Sequence, residues 1–139
     1  MLQQDYLAKM IMQFIDAIRR SIDRAKERQD PRGAAETLET AIGDTTDIDG
    51  GVLLSLAPES LVGVMQVSGV DPHVTDYIAH SLLFSSMYLK QAGDEGLARI
   101  RESQARAVAQ AYGVDLPQNY DEQATETFLQ EAENALSSF

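Results

Sequence analysis

The sequence has no cysteine and no tryptophan, and only four of its 139 residues are proline. Without cysteine the chain has no disulfide, no thiolate metal ligand and no cysteine nucleophile. No apolar run approaches the roughly 20 residues that span a bilayer. The amino-terminal segment also lacks the basic region and apolar core of a secretory signal. We therefore expect a cytoplasmic protein that does not contact a membrane.

Basic residues are scarce and unevenly placed. The chain carries 11 Lys and Arg against 22 Asp and Glu, a net charge of −11, and no Lys or Arg lies between Arg32 and Lys90. Such an acidic chain repels the phosphates of nucleic acids, so we expect no nucleic acid partner. The alternative is nucleic acid binding by the first helix alone, through its arginines, which are Arg19, Arg20, Arg24 and Arg28.

Apolar residues recur at the spacing of an α-helix. From Leu7 to Ala25 they follow one another in steps of three and four, which places them on one face of a helix. Asp-Pro pairs at residues 30–31 and 71–72 are typical of a helix start, because aspartate caps the helix and proline fits its first position. These signals predict an all-α chain, with residues 1–139 forming a single domain.

The pattern predicts about six helices in antiparallel pairs. Their expected ranges are 2–28, 31–43, 58–69, 72–93, 94–112 and 121–136. The helix over 72–93 is apolar around most of its circumference, so we expect it to lie at the centre of the core. Residues 43–57 have no clear assignment. Residues 43–51 are typical of a loop, and residues 52–56 fit either a helical turn or an extended segment.

Two helix–turn–helix segments resemble the tetratricopeptide repeat. The better match is YLKQAGDEGLA over residues 88–98, which has a glycine before the turn and Ala98 in the second helix. Ala35 holds the corresponding position in the first segment, where a small side chain lets two helices approach closely. The resemblance implies a tetratricopeptide-like helical array.

The chain as a whole resembles an uncharacterised bacterial family of small, all-helical proteins of unknown function. The resemblance lies in the opening Gln-Gln-Asp-Tyr-Leu, residues 3–7, in the helix rich in Ile and Met that follows, and in the helix pairs after it. It implies a helical fold and no particular activity.

The segment GDTTDIDGG over residues 43–51 resembles part of a calcium-binding EF-hand loop. Asp47 and Asp49 fit positions three and five of that loop, and Gly50 fits position six. Position one is Thr45, and position twelve is Leu56 in place of the bidentate glutamate. The pattern therefore favours an acidic turn in which Asp and Gly serve the turn geometry.

The two histidines form the clearest candidate metal site. His73, Asp76 and His80 share one face of the predicted helix over 72–93, where two imidazoles and a carboxylate can meet a metal ion. The alternative is a structural role for all three. No fourth ligand is evident in the sequence, and Tyr77 and Phe84 lie on the same side.

The first helix has an apolar stripe long enough for two uses. One interpretation is that the whole stripe packs inside the monomer. The alternative is that part of it forms a homodimer interface or binds a helix of a partner. The candidate residues for that interaction surface are Tyr6, Met10 and Phe14, since methionine is common on adaptable contact surfaces.

With two histidines, no cysteine and none of the familiar catalytic motifs, the sequence favours a non-catalytic protein over an enzyme. We expect a protein–protein interaction module, with another protein or a second copy as partner and with no cofactor. The alternative is a metal- or small-ligand-binding protein, or an enzyme, with a pocket between helices lined by histidine and carboxylates.

Overall fold

The computed structural model describes the backbone of residues 2–139 and the side chains from residue 5 onward. The described chain is all-helical, as predicted, and has no strand. The described residues form seven helices, where about six were expected. They are α1 (Leu2–Lys26), α2 (Pro31–Thr46), α3 (Gly50–Leu53), α4 (Pro58–Ser68), α5 (Pro72–Gln91), α6 (Glu95–Tyr112) and α7 (Glu122–Ser137).

Aspartate side chains begin most of the helices. A carboxylate oxygen of Asp30 accepts from the amide of Gly33 at 3.0 Å, and that of Asp121 accepts from the amide of Ala124 at 2.7 Å. Asp71 and Asp94 cap α5 and α6 in the same way. Each cap satisfies an amide that the first turn of a helix leaves without a partner, which is why these local signals predict helix starts well.

The prediction that α2 ends at Gly43 is wrong, because the helix continues to Thr46 and ends at Asp47, whose φ is 56°. Gly43 does not end the helix. It allows the backbone of α3 to approach α2 closely. A Cβ atom on Gly43 would lie 3.0 Å from the amide nitrogen of Gly50, in the one-turn helix α3. The absence of a side chain at Gly43 therefore lets α3 lie close against α2.

Most of the segment that resembles a calcium-binding loop, residues 43–51, lies in α2 and α3. Thr45 lies in α2, and its hydroxyl donates to the carbonyl of Ala41 at 2.8 Å. Asp49 caps α3, since its carboxylate accepts from the amide of Val52 at 3.1 Å. The residues that match the EF-hand pattern therefore serve helix ends.

Helix α5 lies at the centre of the core, as predicted, and is buried along most of its length. It packs against α2 and α6 and also touches α1, while α4 packs on α6 and α7 packs on α1. Ile78 and Leu82 of α5, with Phe14 of α1 and Leu38 of α2, are fully buried. In the described part of the chain, no helix is both long and apolar enough to cross a membrane.

Candidate functional site

The three residues predicted for an interaction surface on α1 have different environments. Tyr6 is 60% exposed, but Met10 is 5% exposed and Phe14 is fully buried. The ring of Phe14 stacks on that of Tyr77 with 6.0 Å between centroids. Met10 and Phe14 therefore belong to the core of the monomer, and only Tyr6 lies on its surface.

The predicted metal triad is not assembled. The Nδ1 atom of His73 lies 2.8 Å from a carboxylate oxygen of Asp71, and the His73 side chain is exposed. His80 is buried, with its Nε2 atom 3.3 Å from a carboxylate oxygen of Asp76. Across the described residues, no group of three or more His, Asp or Glu side chains could hold a metal ion.

The arginines of α1 are occupied by carboxylates. Arg20 pairs with Asp16 at 3.0 Å, and Arg24 pairs with Asp30 at 2.9 Å. Arg19 pairs with Glu133 of α7. The amide of Gly33 and the guanidinium of Arg24 hold the pKa of Asp30 below its ordinary value. The predicted nucleic acid alternative would have to compete with these three ion pairs.

A large concave surface lies between α2, α3 and α6, and we call it the α2–α6 cleft. Its volume is about 950 Å³. Carboxylates line it on the α2 and α3 sides, and aliphatic side chains line it on both the α3 and α6 sides. Its charged and large apolar lining residues are Glu36, Glu39, Asp44, Asp47, Asp49, Ile48, Leu54, Leu97, Ile100 and Arg101.

One arginine lies beneath this cleft. Arg101 is 6% exposed, and its Nη2 atom lies 3.2 Å from a carboxylate oxygen of Glu39 on α2. Its Nη1 atom donates to the carbonyl of Leu54 at 2.9 Å. Ser85 of α5 donates to the other carboxylate oxygen of Glu39 at 3.0 Å. These contacts join α2, α5 and α6 and neutralise the charge of Arg101.

The chain segment after α3 is held by the same network. The side-chain amide of Gln104 donates to the carbonyl of Leu54 at 3.0 Å and to that of Leu56 at 2.9 Å. Arg101 also donates to the side-chain oxygen of Gln104 at 3.1 Å. The turn between α3 and α4 is thus fixed to α6, which gives the cleft a well-defined wall.

The remaining charge of the cleft is negative. Among the residues that line it, Arg101 is the only cation, and it is paired with Glu39. No described Lys or Arg forms an ion pair with the other four carboxylates, which are those of Glu36, Asp44, Asp47 and Asp49. Beside them Ile100 is 48% exposed. The cleft therefore combines unneutralised carboxylates with an aliphatic surface.

A second concavity holds two of the three predicted metal ligands. It lies between α5, the connector over residues 114–121 and α7, and we call it the aromatic pocket. Asp76 and His80 line it, together with the rings of Tyr77, Tyr120 and Phe128. His73 does not. The aromatic pocket is thus lined by one histidine and by carboxylates, and its use as a ligand site stays a prediction.

Sequence reasoning missed Arg101 and Glu39. A signal for Arg101 was available, because it lies among Leu97, Ala98, Ala105 and Val108 on the apolar side of α6. A cation inside an apolar stripe indicates a buried charge with a partner. The sequence could not predict which carboxylate is the partner, because Glu39 lies far from Arg101 in the chain.

No protein-family model matches the chain, and neither a curated protein nor a solved structure is significantly similar to it. The tetratricopeptide and bacterial-family resemblances therefore stay resemblances, and function has to be argued from the cleft and the pocket themselves.

Proposed function

We propose that this protein is a non-catalytic protein-interaction module whose α2–α6 cleft binds a basic, partly aliphatic segment of another protein. The observation that carries the proposal is the composition of the cleft. Four carboxylates without an ion pair lie beside the exposed side chain of Ile100, while the only lining cation is neutralised by Glu39.

Charge supports a cationic occupant. Carboxylates gathered in a concave surface attract positive groups and raise the rate at which a basic segment arrives. Each exposed ion pair adds only about 0.2–1 kcal/mol, so charge alone makes a weak complex. Burial of Ile100 and Leu97 under an aliphatic side chain of the partner supplies the additional affinity and the specificity.

Architecture supports a binding role as well. Stacked helix pairs form extended concave surfaces that bind peptides and helices. In this chain α1 packs on α2, α5 packs on α6, and α2 lies against α5. We propose that these pairs are antiparallel and arranged as in the tetratricopeptide repeat. The helix contacts and the match over residues 88–98 support this arrangement.

The buried network favours a structural role over catalysis. Arg101 and Glu39 bind each other, and the Nη1 atom of Arg101 also donates to a main-chain carbonyl, so both side chains hold the cleft walls together. A second copy of the chain is the rival occupant, because the end of α1 is basic. A cytoplasmic location stays a prediction.

Charge reversal in the cleft tests the proposal. Glu36→Lys with Asp44→Lys changes two exposed lining residues of α2. Asp23→Lys with Glu27→Lys is the matched control, since it changes the net charge equally at exposed residues outside the cleft. The probe is a short labelled peptide of alternating Lys and Leu, and its affinity is measured by fluorescence anisotropy at low and physiological salt.

We expect the cleft variant to bind the peptide about tenfold more weakly than the control variant, since reversed charges replace attraction with repulsion. A peptide of alternating Glu and Leu should not bind. Equal loss in both variants would mean that only bulk charge attracts the peptide, and the proposal would then fail. Sedimentation of the unmodified protein as a dimer that the cleft variant abolishes would favour the second copy instead.

A further inference from the structure

The aromatic pocket has a floor of ring side chains. Tyr77, His80, Tyr120 and Phe128 each line it and keep only 6–8% of their surface exposed. The ring of His80 stacks on that of Phe128 with 4.2 Å between centroids, and Tyr77 lies beside Phe128 at 6.0 Å. The rings come from α5, the connector and α7, so the floor forms only in the folded chain.

Hydrogen bonds fix this floor. The Nδ1 atom of His80 shares a hydrogen bond with the Tyr120 hydroxyl, and its Nε2 atom lies 3.3 Å from Asp76. Tyr120 also stacks on Phe84 with 3.9 Å between ring centroids. Both nitrogens of the imidazole are therefore occupied. Stacking also covers one face of the His80, Phe128 and Tyr120 rings, so a ligand meets only the 7–8% of these side chains that stays exposed.

The rim of the pocket is acidic. Asp76, Asp115, Asp121 and Glu131 line it, and no Lys or Arg does. Asp121 caps α7 and Asp76 contacts His80. No described residue forms an ion pair with Asp115 or Glu131. The pocket, with a volume of about 690 Å³, thus joins an aromatic floor to uncompensated negative charge.

We propose that the aromatic pocket binds an alkylated ammonium group, such as that of choline or of a trimethylated lysine. Rings attract a cation through their negative faces, and a cation with methyl groups loses little hydration when it leaves water. Carboxylates at the rim supply long-range attraction. An anion is disfavoured by the four carboxylates, and an inorganic cation lacks a set of three converging ligands here.

This site is independent of the proposed function. The aromatic pocket and the α2–α6 cleft share no lining residue. A ligand in one can be bound or lost without direct contact with the other, so failure of either proposal leaves the other standing.

Isothermal titration with choline and with its neutral isostere 3,3-dimethylbutan-1-ol separates charge from shape. We expect choline to bind at least about tenfold more tightly than the isostere, because the isostere has the same methyl groups and no charge. Equal binding of the two compounds, or binding of neither, would overturn the proposal. A trimethyllysine peptide and its unmodified counterpart then distinguish a protein-borne ligand from a free one.

A matched pair of variants on α7 locates the site. Glu131→Gln removes a rim carboxylate, and Glu126→Gln removes an exposed carboxylate of the same helix that does not line the pocket. We expect the first change to weaken choline binding about three- to fivefold and the second to leave it unchanged. Equal effects would contradict the assignment.

The floor is tested by Phe128→Leu, which keeps an apolar side chain and removes the ring. Loss of choline binding in a variant with an unchanged circular dichroism spectrum is the expected result. Retained binding in the folded variant would contradict the role of the floor. If this variant fails to fold, the Glu131 and Glu126 pair decides the question alone.

Discussion

Arg101 of α6 and Glu39 of α2 form a buried ion pair beneath the α2–α6 cleft, with 3.2 Å between the guanidinium and the carboxylate. The Arg101 side chain is 8% exposed and that of Glu39 is 21% exposed. A pair this deep is expensive to break from one side, because the remaining charge is left without a partner. It also leaves the cleft with uncompensated negative charge, although an arginine lines it.

Removing one partner of this pair should therefore destabilise the protein strongly. We expect Arg101→Met to lower the free energy of unfolding by about 3 kcal/mol, measured by urea denaturation. Arg20→Met, which breaks an exposed pair with Asp16, is the control and should cost less than about 1 kcal/mol.

The double variant Arg101→Met with Glu39→Met should recover much of that loss. Both charges are then gone, and the Leu54 carbonyl still accepts from Gln104. Two apolar side chains often replace a buried ion pair at little net cost. Additive losses in the double variant would show that the pair is not coupled and would contradict this account of the cleft wall.

Two glycines inside helices should respond oppositely to alanine. A Cβ on Gly43 would meet the backbone of Gly50 at 3.0 Å, whereas a Cβ on Gly63 of α4 would have no atom within 4 Å. We expect Gly63→Ala to stabilise the protein by about 0.5–1 kcal/mol, since alanine favours the helix. Gly43→Ala should be less stable than Gly63→Ala by about 1–2 kcal/mol, because α3 must shift.

Thermal and urea unfolding of the two glycine variants check this difference. Equal stabilisation by both changes would mean that α3 does not press against α2, and the described close approach would then be wrong. The expected order is Gly63→Ala, then the unmodified protein, then Gly43→Ala.

Tyr77 predicts a loss of stability in alkali. Burial, and the nearby carboxylate of Asp76, raise the pKa of Tyr77 to about 12, compared with 10.0 for an exposed tyrosine. The folded state therefore holds this proton more tightly than the unfolded state. Its contribution to stability is complete below about pH 10 and is lost as the pH rises towards 12.

Tyr77→Phe should reduce that alkaline loss. We expect the variant to lose less stability between pH 9 and 11 than the unmodified protein, by on the order of 1 kcal/mol. Tyr6→Phe, which alters an exposed ring, serves as the control. Identical pH profiles for Tyr77→Phe and the unmodified protein would show that Tyr77 is not desolvated. Burial also raises the pKa of Tyr88, so some alkaline loss should persist.

Helix starts could be predicted from the sequence because their signals are local. Asp30, Asp71 and Asp94 act on amides two or three residues away, and the 3.6-residue period of the apolar side chains depends only on helix geometry. The same information identified α5 as the central helix, since its apolar side chains surround most of the helix.

Features that depend on distant parts of the chain could not be predicted. In the sequence, Gly43 is typical of a helix end. Its close approach to Gly50 appears only in the folded chain. The apolar stripe of α1 predicts that Phe14 is buried. It does not predict that Tyr77 of the same chain packs on it. The partner of Arg101 and the rings around His80 could not be predicted either, because they lie far away in the sequence.

The most direct test of the central claim is a map of amide chemical shifts during titration with the Lys and Leu peptide. We predict that the changes concentrate in residues 36–51 and 97–101, which line the α2–α6 cleft. Changes spread evenly over the acidic surface, or concentrated at Asp115 and Glu131 of the aromatic pocket, would contradict the claim that the cleft is the protein-binding site.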